Sequence, residues 1–438
     1  MTDDRGGASS VPRRSHDRRG PLAHRPFRWL LAARTTSILG NAVAPIALAF
    51  AVLDLTGSAA DLGLVVAARS VANVAVLLFG GVIADRLPRD VVLVGTSAAA
   101  AATQGVVAAL VISGTATIPS LVVMSVLNGA VAAVSLPAAA ALVPETVPVD
   151  LLRPANALLR LSVNGGSVVG ASAGAGIVAL VGPGWGLAVD AAGFALAGAL
   201  FARLRLPRAS GTESGAGSGS GADSGAARAG GTSVVADLRE GWQEFTRRSW
   251  VWIVVAQFAV LNAAFVGATT VLGPVVADES FGRAGWGLVV AAQTVGLAIG
   301  AVIALRWRPR RGLAIGVGLM ALTAVPVVTL GLAPVLPALI AAFALGGVAL
   351  EIFAISWDQS LQSRIPREAL ARVYSYDMVG SFVAIPLGEV LVGPAAHAFG
   401  TGTTLLTCAA IIVVATAAAL STASVRRVSS HTGGPPAR

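Results

Sequence analysis

Long apolar runs, each closed by a short charged or Gly/Pro-containing turn, recur along the whole chain. They lie near residues 29–53, 62–84, 91–112, 118–142, 156–180, 186–205, 250–276, 285–305, 312–332, 335–357, 373–395 and 401–424. A helix needs about 20 predominantly apolar residues to cross a bilayer core, so each run is long enough to span. A backbone facing lipid must satisfy its own hydrogen bonds, which leaves helices as the structure for runs of this length. The pattern predicts an all-α membrane protein of twelve transmembrane helices, six on each side of a polar gap.

That gap opens with a Gly/Ser/Ala tract from Ala209 to Ser233, which reads as a flexible linker. The stretch Asp237 to Phe245 then has the pattern of a short amphipathic helix lying on the cytosolic face. The expected organisation is therefore a cytosolic tail over residues 1–28, a six-helix bundle over 29–205, a linker over 206–249, a second bundle over 250–424 and a tail over 425–438. The Arg-rich N-terminus suggests a secretory or twin-arginine signal, but the run behind it exceeds the roughly 7–15 residues of a signal core and is followed by no cleavage site. It reads as the first span.

Arginine placement sets the orientation. One set of connections carries Arg86 and Arg89, then Arg153, then Arg203, Arg205, Arg208, Arg247 and Arg248, then Arg306, Arg308, Arg310 and Arg311, then Arg364, Arg367 and Arg372. The alternate set carries only Arg283. The positive-inside rule then puts both termini and the linker in the cytosol, in a cell membrane crossed many times. A content of 55% hydrophobic and 12% charged residues and a mean hydropathy of +0.77 exclude a soluble domain. The formal charge of +9 therefore points to anionic lipid head groups as partners and not to nucleic acid. Arginine supplies every basic residue, a codon bias of GC-rich bacteria.

Several chemistries lack their residues. His16, His24, His397 and His431 have no ligand spacing, and the single Cys408 forms neither a disulfide nor a metal site, so no metal or other cofactor is expected. No Gly-x-x-x-x-Gly-Lys loop is present for ATP-driven transport, and no Ser/His/Asp arrangement marks an enzyme.

The two halves repeat one another. Gly63-Leu64-Val65-Val66-Ala67-Ala68-Arg69 in span two is answered by Gly287-Leu288-Val289-Val290-Ala291-Ala292-Gln293 in span eight. The exits Gly81 to Arg86 and Ala301 to Arg306 correspond, as do Val147-Pro148-Val149-Asp150 and Ile365-Pro366-Arg367-Glu368. Parallel six-helix repeats place a substrate path at their interface.

The turn Gly80-Gly81-Val82-Ile83-Ala84-Asp85-Arg86-Leu87-Pro88-Arg89-Asp90 resembles the signature loop of major facilitator superfamily transporters, Gly-x-x-x-Asp-Arg-x-Gly-Arg-Arg/Lys. Gly81, Asp85, Arg86 and Arg89 match; Pro88 and Asp90 depart from it. Thr56 to Gly63, Pro154 to Leu158, Asp237 to Trp242, Leu361 to Pro366 and Pro386 to Gly388 resemble the branch containing the enterobactin exporter and macrolide-efflux proteins. The resemblance implies proton-coupled export of a hydrophobic or amphipathic small molecule by a monomer. Asn41 stands where that branch often carries Asp, and Ala171 replaces the Pro of the antiporter pattern in span five.

That fold assigns expectations to individual side chains. Asp85, with Gly81, Arg86 and Arg89, is a gating latch whose carboxylate meets the free N–H groups at the start of span eleven, the alternative being a loop carboxylate satisfied by Arg86 or Arg89 that biases neither state. Arg69 and Glu389 each lie sixteen residues from the inner end of their spans, about 24 Å, and form an outer gate pair if spans two and eleven are neighbours. The alternative is that each snorkels separately. Glu351, Asp377 and Arg34 are candidates for proton coupling, with a permanent Glu351–Arg34 pair as the alternative for Glu351. Asp377 and Asp358 are expected near the cytosolic boundary as charges at the membrane–water interface, and Asp190 is expected to snorkel outward from a peripheral span six. Asn41, Asn128, Gln257 and Asn262 are cavity candidates that hydrogen-bond either substrate or a neighbouring helix. Uptake of a small polar nutrient and a transport-incompetent scaffold or sensor remain the alternative functions.

Overall fold

The computed structural model describes residues 20–84, 89–204, 242, 243, 245–307, 309 and 311–428. Among them are twelve helices long and apolar enough to cross a membrane, and the chain is an all-α membrane protein. The first six are α1 (Arg25–Thr56), α2 (Ala59–Ala84), α3 (Arg89–Ile112), α4 (Ile118–Ala141), α5 (Leu152–Val181) and α6 (Pro183–Ala202). After the linker come α7 (Ser249–Glu279), α8 (Arg283–Arg306), α9 (Gly312–Leu332), α10 (Leu336–Arg364), α11 (Arg367–Phe382 and Ile385–Phe399) and α12 (Thr401–Ser421). Most of the expected linker and the chain beyond residue 428 lie outside the described residues.

Turn chemistry fixes the joints. α1 stops at Gly57, whose φ of 65° is left-handed, and α4 starts on a capping box in which Thr117 and Ser120 bond each other's backbone N–H. Three interior irregularities share one cause. Proline lacks an N–H and its ring crowds the carbonyl four residues back. For Pro274 that residue is Thr270, inside the π turn Ala268–Leu272 of α7; for Pro326 it is Leu322, inside the 3-10 turn Met320–Thr323 of α9. For Pro386 it is Phe382, where the first half of α11 ends. Span eleven is thus longer than the 373–395 expected, and broken.

Within the first half, α1 packs on α5 and α6, α3 on α6 and α4, and α2 on α4. Within the second, α8 packs on α10, α9 on α12, and α7 on α11 and α12. Between the halves the principal contacts are α5 on α8 and α2 on α11. One buried apolar cluster runs through both halves, and a second, around Phe27, Leu93 and Leu142, fills the end of the first half where α1 begins. An even number of spans brings the start of α1 and the end of α12 to the same face, called here the terminal face.

The repeated glycines Gly63 and Gly287 sit at those two inter-half contacts. A methyl group on Gly63 would overlap the Glu389 carbonyl oxygen of α11, and one on Gly287 would fall 2.7 Å from the Ala171 carbonyl oxygen of α5. Small residues at such crossings let two backbones touch, which is how helices associate in lipid. Gly393 likewise packs on Ala59 and Ala60. All these contacts lie toward the face opposite the terminal one, and they seal it.

Candidate functional site

A charged clasp closes the sealed face. Arg283, the first residue of α8, donates from Nη1 to Asp54 Oδ2 at 2.9 Å and from Nε to Asp278 Oδ1 at 2.8 Å, with a second Nη bond to Asp54. Its guanidinium lies 4.8 Å from the centroid of the Phe50 ring. Asp54 belongs to the last turn of α1 and Asp278 to the last turn of α7, so one side chain binds the first half to the second and the second half to itself. Paired bonds from a planar guanidinium are the geometry that arginine supplies and lysine does not. Arg283 is the lone arginine among the connections of its side, and that isolation is the signal of this clasp in the sequence.

Inside the first half lies a cavity of about 300 Å³ lined only by α1–α6, with Arg34, Asn41, Arg69, Thr96, Asn128 and Ser135 among its walls. Asn41 is exposed despite its mid-span position and accepts from Arg69 Nη2 at 3.5 Å. Asn128 is buried on the same wall. Arg34 has no ion-pair partner among the described residues.

Spans two and eleven are neighbours, but Arg69 and Glu389 make no direct ion pair. The Glu389 backbone lies level with Gly63, and Ser70 of α2 lies beside its carboxyl. Glu389 is 2% exposed, and its Oε2 has no hydrogen-bond partner. Arg69 lies on the adjoining face of α2, close enough to act on it electrostatically.

Asp190 corrects an expectation. It does not snorkel outward but is 0% exposed, tucked against Gly40 of α1 and bonded through Oδ2 by Gln104 Nε2 of α3. Its Oδ1 has no partner, and Arg69 acts on it as well.

The second half disposes its polar residues differently. Glu351 is half-buried against Gly300 of α8, and its cationic neighbour is Arg160 of α5, so the alternative pairing with Arg34 is not formed. Arg160 was not identified from sequence. Asp377 accepts from Trp357 Nε1 at 2.9 Å and from the Ser381 hydroxyl at 3.1 Å. Asp358 accepts from the Tyr374 hydroxyl at 3.0 Å. Asn262 donates to the Ser381 carbonyl at 2.9 Å and Gln257 to the Thr416 hydroxyl at 3.4 Å, both buried, so these amides tie α7 to α11 and α12. Of the four amide candidates, only Asn41 and Asn128 line the cavity. Gly81 and Arg89 fall at the ends of α2 and α3, but Asp85, Arg86 and the side chains of the latch lie outside the described residues. Among the described residues, no group of three or more His, Cys, Asp or Glu side chains is placed to hold a metal.

The sequence pattern of the Major Facilitator Superfamily matches residues 30–305, more than half the chain and part of both bundles. No curated protein sequence matches. Among solved structures the chain is similar to the nucleoside transporter NupG, at 14% identity and a TM-score of 0.70, covering 91% of this chain and 98% of that one. It is similar to a D-xylose-proton symporter at 14% identity and a TM-score of 0.65, covering 90% and 96%. It is also similar to a bacterial homolog of the human lysosomal transporter Spinster in an inward-facing, unoccupied conformation, at 14% identity and a TM-score of 0.60, covering 91% and 93%. At such identity these likenesses establish the fold, and the family match goes further: the chain belongs to the Major Facilitator Superfamily and is a transporter, not an enzyme.

Proposed function

We propose that the protein is a proton-coupled exporter of a hydrophobic or amphipathic small molecule, working by alternating access as a monomer in a bacterial cell membrane. The observation that carries this reading is the pairing of a clasped interface at Asp54–Arg283 with a polar cavity around Asn41 and Arg69 deeper in the bundle. With the termini in the cytosol, as the arginine distribution favours, the sealed face is the outer one and the conformation is inward-facing, ready to load from inside. The segments resembling the enterobactin exporter and macrolide-efflux proteins favour export. The latch of Asp85, Arg86 and Arg89 would close the cytosolic side in the opposite state, and Glu351, on α10 outside the helices that line the cavity, would carry the proton.

Inverted vesicles with an acid lumen test the reading. Accumulation of a fluorescent macrolide or a catecholate siderophore that collapses with a protonophore supports it. The second reading, uptake of a polar nutrient, draws on the polar walls at Arg34, Asn41, Thr96 and Asn128. Protonophore-sensitive uptake of a nucleoside or pentose by right-side-out vesicles, without export of either amphipath, would replace the first reading by the second.

A further inference from the structure

Two buried carboxyl groups from opposite halves of the protein lie close enough to Arg69 to act on it. Asp190 comes from the interior of the first half and Glu389 from α11 of the second, and Arg69 acts electrostatically on both. Asp190 accepts from Gln104, Ser70 lies beside the Glu389 carboxyl, and each acid keeps one buried oxygen with no partner. Arg69 is the one charged side chain acting on either group among the described residues. Gly40 of α1 and Gln104 of α3 pack against Asp190, and the α7 and α12 walls beside α11 carry Asn262, Gln257 and Thr416, which are engaged with one another or with Ser381. Arg34 shares the cavity with Arg69 but sits seven residues, about two turns, nearer the terminal face than Asn41.

We infer that Glu389, Arg69 and Asp190 form a one-proton site that is assembled when the outer face closes: Arg69 neutralises one carboxylate, and the other carries the coupling proton. The inference rests on the reading of the chain as a proton-coupled transporter, and it moves the coupling site from Glu351 to the α2–α11 contact. Charge counting supplies the reason. Two carboxylates and one guanidinium leave one negative charge buried at membrane depth, an arrangement that is costly until a proton cancels it. The orphaned oxygens of both acids leave room for that proton.

Asp190, Gln104 and Arg69 move together, because all three belong to the first half; Glu389 belongs to the second. When the halves part along α2 and α11, Glu389 leaves Arg69 and meets water, while Asp190 and Arg69 remain a neutral pair. Closing the face returns Glu389, and the closure takes up one proton from the outer water; that proton leaves past Asn41 into the cavity when substrate binds there, before the outer face opens again. Asn41, exposed and bonded to Arg69, lines the cavity of the first half together with it and brings the site into contact with that cavity. By linkage, acid favours the closed outer face and alkali the open one, since the closed state binds the extra proton.

Spin-label distances test this without any substrate. The full chain in lipid nanodiscs, with Cys408→Ala and labels at Ser113→Cys and Leu332→Cys, reports the separation of the two halves at the sealed face, where both positions are exposed. Between about pH 5 and about pH 9 the distance should lengthen as pH rises. Glu389→Gln and Asp190→Asn each remove the surplus carboxylate, so both should keep the short distance at every pH, and Glu389→Asp should restore the dependence. A wild-type distance that ignores pH, or a Glu389→Gln protein that keeps the wild-type response, overturns the inference. The wild-type measurement decides even if a variant fails to fold. A protein that moves no substrate in vesicles yet closes with acid would fail only the transport reading, and one that exports with no pH-dependent distance would fail only this site.

Discussion

Arg283 and Asp54 bridge the two halves of the molecule by paired hydrogen bonds, from the first turn of α8 to the last turn of α1. The pair is partly exposed, at 22% and 41% of the side-chain surface, so solvent screens it and its worth is about 1 kcal/mol. Removing it should therefore shift the balance between the two access states without unfolding either. In Asp54→Asn the closed outer face should lose about fivefold in relative population. Val271, fully buried beside Gly63 at the same interface, reports this as Val271→Cys in a Cys408→Ala background. Its alkylation by a soluble maleimide should quicken about fivefold, and an unchanged rate would show that the clasp does not hold the face shut.

Gly63 should tolerate no side chain. Its α-carbon faces the Glu389 backbone, so Gly63→Ala places a methyl group where α11 stands and forces the halves apart. Overpacking of this kind costs about 1–3 kcal/mol. Hydrogen exchange across residues 59–66 should rise by an order of magnitude in the variant. Gly105 of α3 is the control: nothing lies within 4 Å of a methyl group there, and Gly105→Ala should leave exchange unchanged or slower.

These two contacts also show what the sequence exposed and what it concealed. The span count was legible because hydropathy is a property of a segment alone, and Gly63 and Gly287 were legible as a pair because the halves repeat. The breaks in α7, α9 and α11 are signalled by Pro274, Pro326 and Pro386, but the effect of each falls four residues upstream, inside an unbroken apolar run. Asp190 was concealed for a different reason. Its burial depends on Gly40 and Gln104, which lie 150 and 86 positions away in sequence and meet it only in the folded bundle. Arg160 beside Glu351 is likewise a product of how α5 meets the second half.

The Gln104–Asp190 bond gives a stability prediction of its own. Gln104→Leu removes the donor and leaves a second oxygen of a fully buried carboxyl without a partner, a loss of about 1–3 kcal/mol. Replacing both members by leucine removes the unmet group altogether and should recover much of that loss. A double-mutant cycle from thermal unfolding in nanodiscs measures the coupling, and strict additivity of the two single substitutions would show that the bond contributes nothing.

The opposite end of the molecule should respond with the opposite sign. The segment between α2 and α3 carries Asp85 and Arg86, ahead of Arg89 at the start of α3, and the proposed latch holds the terminal face shut by placing that carboxylate at the N-terminus of α11, where free N–H groups favour an anion by about 0.3–1 kcal/mol. Asp85→Asn should therefore stabilise the conformation described here, with its sealed Asp54–Arg283 face, and slow the maleimide reaction of Val271→Cys by up to about fivefold. Combined with Asp54→Asn, the two effects should cancel in the alkylation rate, because each weakens the contact that holds one of the two competing states. Transport should not recover in the double variant if the cycle needs both faces to close in turn. A faster reaction in Asp85→Asn would mean that the turn stabilises the state with the outer face closed and that the latch assignment has the wrong sign.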